Sequence, residues 1–390
     1  MGATGTRDTA NLVARKYDMK DVVSLLDVNE YPMLAILTNA GKDPATKTGK
    51  ALKKQVTTDA EFKWNEDEFQ SREASTTTGQ TGKNIASTPS VVLASGQGAR
   101  FAIGDVIKFP SNKYTFKVTG VSTDTLTLSN EIGGATGTVD LSSLDVWIIG
   151  NSNAEGASLR TIKGTTPTEM VGYTQIFRTP FGVTETSRNT ETLIRENDFD
   201  YQRRKKGIEH MIAIETAFWF SKKAKITTGG KPERFTEGIL NRISTYATAN
   251  VDTEAEFEAW LEDVFAHGGP EKYLFASPAF MSMINLWGKN KLQLVSTDKT
   301  YGIVILKYVS AHGTLNIIQN KLFKGTTYGN YGVALDLEAV WYRFLKNRDT
   351  KLLTNRQAPG DDERVDEYLT ECGLQLEQES RHAVASIGSL

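Results

Sequence analysis

The chain has 390 residues, 39% hydrophobic and 24% charged, an ordinary globular composition with length enough for two or three domains and their cores. Its 45 Lys and Arg against 47 Asp and Glu leave a formal charge of -2, so general electrostatic attraction to nucleic acid is not indicated. A bilayer-spanning apolar window of about 18 residues is absent, the start lacks a secretory h-region, and the single cysteine, Cys372, cannot form an internal disulfide; a soluble protein made in a reducing cytosol is expected.

From the N-terminus, Val22, Val23, Leu25, Leu26 and Val28 form an amphipathic stretch that leads to Tyr31 and Pro32, then Met33, Leu34, Ile36 and Leu37. Pro32 allows a short apolar helix to begin there, because its missing N–H falls among the unsatisfied donors of a first turn. Residues 1–41 are read as an N-terminal arm. From residue 42 apolar side chains thin out and the charges separate. Lys47, Lys50, Lys53 and Lys54 come first, then Asp59, Glu61, Glu66, Asp67 and Glu68, with Trp64 among them. Two strands folded on each other would set these charges opposite one another, each good pair contributing about 0.2–1 kcal/mol. Such a polar arm lacks a core of its own and makes sense if a neighbouring subunit supplies the surface beneath it; a flexible solvated loop is the alternative.

Residues 88–150 read as a small all-β module. The runs VVLA, DVIKF, YTFKVTGV, TLTL and VWIIG are separated by turn material such as GQG, PSN, STD and EIGGATG. The extended segment YTQIFRTPFGVTETSRN follows, and then helical spacing emerges: Ile208, Met211, Ile212, Glu215, Phe218 and Trp219 form one stripe. Asp198 and Asp200 near its start and Lys222 and Lys223 near its end suit the helix dipole. Gly207 within it costs about 1 kcal/mol relative to alanine, which points to a close packing contact.

Beyond TTGGKPERF, Phe257, Trp260, Leu261, Val264 and Phe265 mark a helix face, and YLFASPAFMSMINLW predicts a buried strand turning into a helix at Ser277 and Pro278. IVILKYV, LNIIQN and VALDL read as strands, so the fold class is α+β. Five regions result: arm 1–41; extended loop 42–183 carrying the β insertion 88–150; spine helix region 184–231; a second α+β domain 232–345; and a C-terminal return 346–390.

Signatures of chemistry are missing. The four histidines, 210, 267, 312 and 382, stand apart from one another and from cysteine, so no metal site is expected and each is read as a surface or hydrogen-bonded residue. KTGKA and GQTGKN lack the spacing or the hydroxyl of a phosphate loop. The glycines of GQGARFAIG lead to a strand rather than a helix, the wrong context for a dinucleotide. No GxSxG elbow occurs, and Cys372 sits in an apolar alternation. Neither catalysis nor a cofactor is expected. Arg203, Arg204, Lys205 and Lys206 are read as a solvated helix face or a contact for nucleic acid or an acidic neighbour. Glu215, on the apolar stripe, needs a polar or cationic partner if buried.

Several segments, in order, resemble the major head proteins of tailed bacteriophages. NEYPMLAILTNAG resembles their acidic-proline motif before a short apolar helix, and EFKWNEDEF the return strand of their extended loop. FAIGDVIKF with FKVTGVSTDTLTLSNEIGGATG is similar to an insertion carried by one branch of the family. GYTQIFRTPFGVTETSRNTETL resembles the entry into their central helix, GTLNIIQNKLF a strand before the loop at the capsomer centre, and ECGLQLEQESRHAVASIGSL their final strand.

The resemblance implies the Hong Kong 97-type capsid fold, with an N-terminal arm, an extended loop, a peripheral domain holding the spine helix and an axial domain at 232–345. It also implies self-assembly into hexamers and pentamers of an icosahedral shell that encloses double-stranded DNA without sequence-specific binding, with no membrane. The virion is the expected location, after assembly in the bacterial host cytoplasm. Because no long helical segment precedes the arm, scaffolding is expected from a separate protein, with portal and decoration proteins as further partners. A cellular nanocompartment shell of the same fold, with an enzyme as cargo, is the near alternative; a β-rich surface-binding protein is the alternative from a different class.

Overall fold

The computed structural model describes residues 32–33, 53–157, 159–160, 162–190, 198–287, 292–294 and 306–388. Of the expected N-terminal arm it describes Pro32 and Met33, and Lys47 and Lys50 lie outside the described residues. The chain divides into two compact units, Met1–Trp64 with Met170–Leu390, and Asn65–Glu169.

The first unit is built on two sheets. One has the strand order Lys53–Thr57, Val340–Leu345, Glu363–Leu376, Gln175–Thr184, with Lys351–Leu353 also paired to the long Glu363–Leu376 strand. Gln175–Thr184 runs antiparallel to that strand, from Gln175 opposite Cys372 to Thr184 opposite Glu363. Its alternation is the cause: Phe177 and Phe181 are buried while Ile176, Arg178 and Pro180 face outward, a half-buried strand. Among the described residues it pairs on one side only, and this edge position is where Pro180 is tolerated.

The helix Asp198–Phe220 lies against this sheet, touching both Gln175–Thr184 and Glu363–Leu376. Its 23 residues span about 34 Å. Of the predicted stripe, Glu215, Phe218 and Trp219 are buried and Ile208, Met211 and Ile212 are half-buried; His210 and Ile214, which the stripe omitted, are fully buried. At Gly207 a Cβ would stand 3.2 Å from the Tyr368 hydroxyl, which is the close contact that the glycine signalled.

The other sheet has the order Ala247–Thr248, Ala383–Ser386, Tyr331–Leu335, Glu271–Ala276, Thr314–Gln319, Leu306–Val309, Leu292–Leu294. Helix Glu254–Phe265 opens with a capping box between Thr253 and Glu256 and turns Phe257, Trp260, Leu261 and Val264 into the core. The predicted strand-to-helix switch is present: Glu271–Ala276 ends at Ser277, and Pro278–Trp287 is helical. The two sheets share a core in which Phe177, Ile214, Phe218 and Trp219 meet Phe275, Ile318, Val333 and Leu335.

Two strands cross the expected region boundaries. Val340–Leu345, assigned to the domain 232–345, belongs to the sheet under the long helix, and the C-terminal return 346–390 serves both sheets, Glu363–Leu376 in one and Ala383–Ser386 in the other.

The second unit is a β module with strand order Glu73–Ser75, Asp145–Asn151, Asp105–Lys108, Thr115–Ser122, Thr125–Leu128, Ser90–Val92. Phe101, Ile107, Phe109, Phe116, Val118, Leu126 and Leu128 centre its core. All five predicted strand runs are present. The module is larger than 88–150, however: Glu73–Ser75 pairs with Asp145–Asn151, and Ala74 and Ile85 lie in its core.

Among the described residues, Lys53–Thr57 and Glu61–Glu66 do not pair with each other as the charge pattern suggested. Lys53–Thr57 pairs in parallel with Val340–Leu345, and Glu61–Glu66 pairs with Thr168–Tyr173. The Lys54 amine explains the first choice: it lies 5.3 Å from the Tyr342 ring centroid and 4.9 Å from that of Phe344, and it ion-pairs with Asp349. An aromatic bed with a carboxylate behind it offers more than exposed acidic side chains could.

Candidate assembly surfaces

The interior of the first unit fixes where its surfaces lie. Glu215 is fully buried on the long helix, and its Oε1 accepts from the Met33 backbone N–H at 3.2 Å and from Trp219 Nε1–H at 3.3 Å. These donors offset the burial of a polar group and pin the segment at Met33 onto the helix. One turn earlier, His210 bridges helix and sheet, with Thr179 Oγ1 2.8 Å from Nδ1 and Thr370 Oγ1 2.7 Å from Nε2. Burial lowers its pKa and favours the neutral ring. The Tyr368 ring stacks on it, and the Tyr368 hydroxyl donates to the Arg203 carbonyl.

On the outward face of Glu363–Leu376 the carboxylates are paired with arginines. Glu367 takes two bonds from Arg178, at 2.5 and 2.8 Å, with Arg356 at 3.8 Å. Glu371 pairs with Arg348 at 2.5 Å and accepts from Thr174 Oγ1–H at 3.2 Å. The Arg178 fork beside Glu367 holds that carboxyl below its usual range, against the opposing effect of burial. Both acids are nearly buried while Arg178, Arg348 and Arg356 remain about half-exposed, so this face presents guanidinium groups to solvent.

A second buried charge closes the other sheet. The Lys272 amine, fully buried, donates to the carbonyls of Val264, His267 and Arg381 at 2.5, 2.8 and 2.6 Å, tying the end of helix Glu254–Phe265 to the last strand. Burial pushes its pKa down to about 8, partly opposed by Asp336. Beside it the His382 ring accepts from the Asp336 N–H at Nδ1 and lies 3.3 Å from the Glu377 carbonyl at Nε2. The histidines thus divide: 210 and 382 are buried and hydrogen-bonded, 267 and 312 exposed. Among the described residues no group of three or more His, Cys, Asp or Glu could hold a metal ion, and no helix is long and apolar enough to cross a membrane.

The residues proposed for the arm separate. Lys54 is engaged with Asp349, and Glu61 lies 3.8 Å from Lys225, both within the chain. Trp64 stacks on Phe62 at 6.0 Å. Asp59 accepts from the Glu61 N–H, and Asp67 from the Glu68 N–H. Glu66 is half-buried, and Asp67 and Glu68 are exposed. Sequence reasoning missed the apolar side chains left in water in the second unit: Phe69 at 103% relative exposure, Leu159 at 89% and Ile162 at 85%. A signal existed, since each is an isolated hydrophobe in a polar run without strand or helix periodicity.

Phe69 borders a cleft of about 400 Å³ lined also by Gln70, Ser71, Arg72, Arg100, Asp105, Ile148 and Lys163. Asp105, nearly buried, holds Arg160 at 2.5 Å and Lys163 at 3.6 Å. Lys163 donates to the Arg100 carbonyl at 2.6 Å, and Arg100 donates to the Glu73 carbonyl at 2.6 Å.

Similar proteins are structural. The major capsid protein of Pseudomonas phage PaMx41 is 23% identical over 253 residues, 60% of this chain and 60% of that protein; the chain thus matches about three-fifths of the relative's length. Solved structures with a likeness include the capsid of a native GTA particle (7% identity, 97% of this chain, 96% of that one, TM-score 0.46), Microbacterium phage Oxtober96 (9%, 96% and 95%, 0.44) and the holo-SrpI encapsulin complex of Synechococcus elongatus (12%, 57% and 76%, 0.42). The family model described as SU10 major capsid protein matches residues 2–387, and the chain therefore belongs to that family.

Proposed function

We propose that this chain is the repeating unit of a phage head with the Hong Kong 97-type arrangement, built from hexamers and pentamers around double-stranded DNA. As a member of a major capsid protein family it is a structural component of the virion and not an enzyme. The long helix with its sheet corresponds to a peripheral domain, the sheet around Glu271–Ala276 to an axial domain, and the Asn65–Glu169 unit to an insertion in the extended loop. Assembly in the host cytoplasm, a separate scaffolding protein, portal and decoration proteins belong to the same reading, as does packing of the arm residues Asp67 and Glu68 on a neighbour.

The observation that carries the proposal is the exposure of Phe69, Leu159 and Ile162. Isolated surface hydrophobes are normal, but a phenylalanine exposed beyond its reference value gains nothing from its own chain, and three such side chains lie near the ends of one inserted unit. Neighbouring copies would cover them. Electron microscopy and light scattering of the purified protein, with and without its scaffold, test the reading: closed shells or capsomers are expected, and a strictly monomeric protein at high concentration under both conditions would overturn it.

A further inference from the structure

The cleft beside Phe69 carries cationic groups without a matching set of acids. Asp105 is the one carboxylate in its lining, against Arg72, Arg100 and Lys163, and it is already shared with Arg160. Arg72 is exposed and makes no side-chain bond among the described residues, so its whole fork is available for a planar bidentate acceptor. The ring of Phe69 stands at the rim in water. A ligand for this place needs two or three anionic oxygens on a short, rigid frame, with an apolar group beside them.

The chain contains such a frame. Ala358, Pro359, Gly360 and Asp361 make a turn closed by the Asp361 N–H to the Ala358 carbonyl at 3.2 Å. Proline at its second position and Gly360 at φ 103° at its third are the requirements of a type II turn. Asp361, Asp362 and Glu363 follow, all exposed, as is Pro359. Runs of three consecutive acids occur twice in the sequence, at 66–68 and 361–363; the first adjoins the cleft's own lining on the same stretch of chain, which leaves the second as the complement.

We propose that the cleft of one copy receives the turn at 358–362 of a second copy, with Pro359 against the Phe69 ring and the Asp361 and Asp362 carboxylates on Arg72 and Arg100. The inference rests on the shell reading, because it needs copies side by side. A nucleic-acid backbone is the less suitable occupant. Between residues 65 and 169 there are eight Lys and Arg against eleven Asp and Glu, so the unit as a whole repels a long polyanion while this cationic cleft suits a short acidic turn.

Charge exchange tests it. Arg72→Glu and the pair Asp361→Arg with Asp362→Arg are surface changes, so thermal unfolding of the capsomer-free protein should match the parent. Each is expected to lower the assembled fraction at fixed concentration by about tenfold, the order for reversing a close interfacial charge pair, and their combination should restore most of it. Independently, the full chain carrying Arg72→Cys and Asp361→Cys should give chain-to-chain disulfides on mild oxidation of assembled material. Shells that form equally well with the single reversals, or a combination no better than either, would overturn the pairing while leaving the shell reading intact. A parent that never assembles would defeat both. Short double-stranded DNA bound by the parent and lost in Arg72→Glu, without an effect on assembly, would overturn the pairing in favour of phosphate.

Discussion

The backbone N–H of Met33 donates to the carboxylate of Glu215 across 182 positions of sequence, at 3.2 Å and inside a core where both residues are fully buried. The same oxygen takes the Trp219 indole N–H. One side chain thus fixes the segment that enters the body at Met33 and the aromatic end of the long helix.

Replacing Glu215 with alanine strands both donors in an apolar surround, and the expected loss is about 1–3 kcal/mol. Glu215→Gln keeps an acceptor oxygen and should lose less. Chemical denaturation of the unassembled protein measures both; a midpoint unchanged in Glu215→Ala would show that other groups or water satisfy Met33 and Trp219.

Acid should weaken the fold through His382. Burial holds its folded value at about 3, against an ordinary 6.5, while the unfolded chain takes up its proton near 6.5. Stability from this group is therefore fully present above pH 6.5 and declines as pH falls toward 3. The geometry gives the reason: Nδ1 already faces the Asp336 N–H, so a proton there would set donor against donor, with Lys272 and Arg381 also opposing the charge and Asp336 favouring it. Burial shifts His210 the same way. Glu367, whose lowered value comes from Arg178, contributes its loss only further down, as pH falls below the ordinary carboxylate range. Urea midpoints between pH 7 and 5 should decline in the parent and decline less steeply in His382→Gln.

Lys272 offers a separate test of how the C-terminal strand is held. Lys272→Met removes a buried charge but leaves three carbonyls without their donor. Leaving buried acceptors unsatisfied costs about 1–3 kcal/mol, partly offset by relief of burying the amine, and a net loss of that order is expected. Hydrogen exchange should locate the effect, with amides of Ala383–Ser386 losing protection before those of Glu363–Leu376.

The elements that could be read from sequence are those that announce themselves locally, by period or by a short apolar run bounded by turn residues. The strand Gln175–Thr184, the long helix, the switch at Ser277 and Pro278 and the five strands of the β module all show their period locally. Pairing over distance was not legible. Lys53 and Lys54 precede a run of acids, and local charge pointed to a hairpin; the strand instead reaches Val340–Leu345, where Tyr342 and Phe344 lie beneath Lys54, a choice that no nearby residue encodes. His210 was hidden for a related reason, since a polar ring enters a core only when Thr179 and Thr370 supply its bonds, and those threonines lie on two other segments. The cationic cleft combines residues from 69 to 163, so its residues carry no shared spacing.

The β unit should fold by itself when its true limits are respected. Its core draws Ala74 and Ile85 together with Phe116, Leu126, Leu141 and Val146, and its strand Glu73–Ser75 has Asp145–Asn151 as partner. A fragment covering 65–169 is expected to unfold cooperatively, whereas a fragment trimmed to 88–150 loses the strands Glu73–Ser75 and Lys83–Asn84 and two core side chains. The core loss is about 1.5–3 kcal/mol for fully burying a side chain of Ile85's size, added to the lost pairing of Glu73–Ser75. In the full chain, a short glycine-serine linker in place of 67–167 should leave the long helix and both sheets of the other unit folded, because Glu61–Glu66 and Thr168–Tyr173 pair beside the excision points. Circular dichroism melting of the two fragments and of the shortened chain decides it. Equal cooperativity in 65–169 and 88–150 would place the stabilising core inside the shorter limits, and a non-cooperative melt of the shortened chain would make the β unit part of the body's own fold.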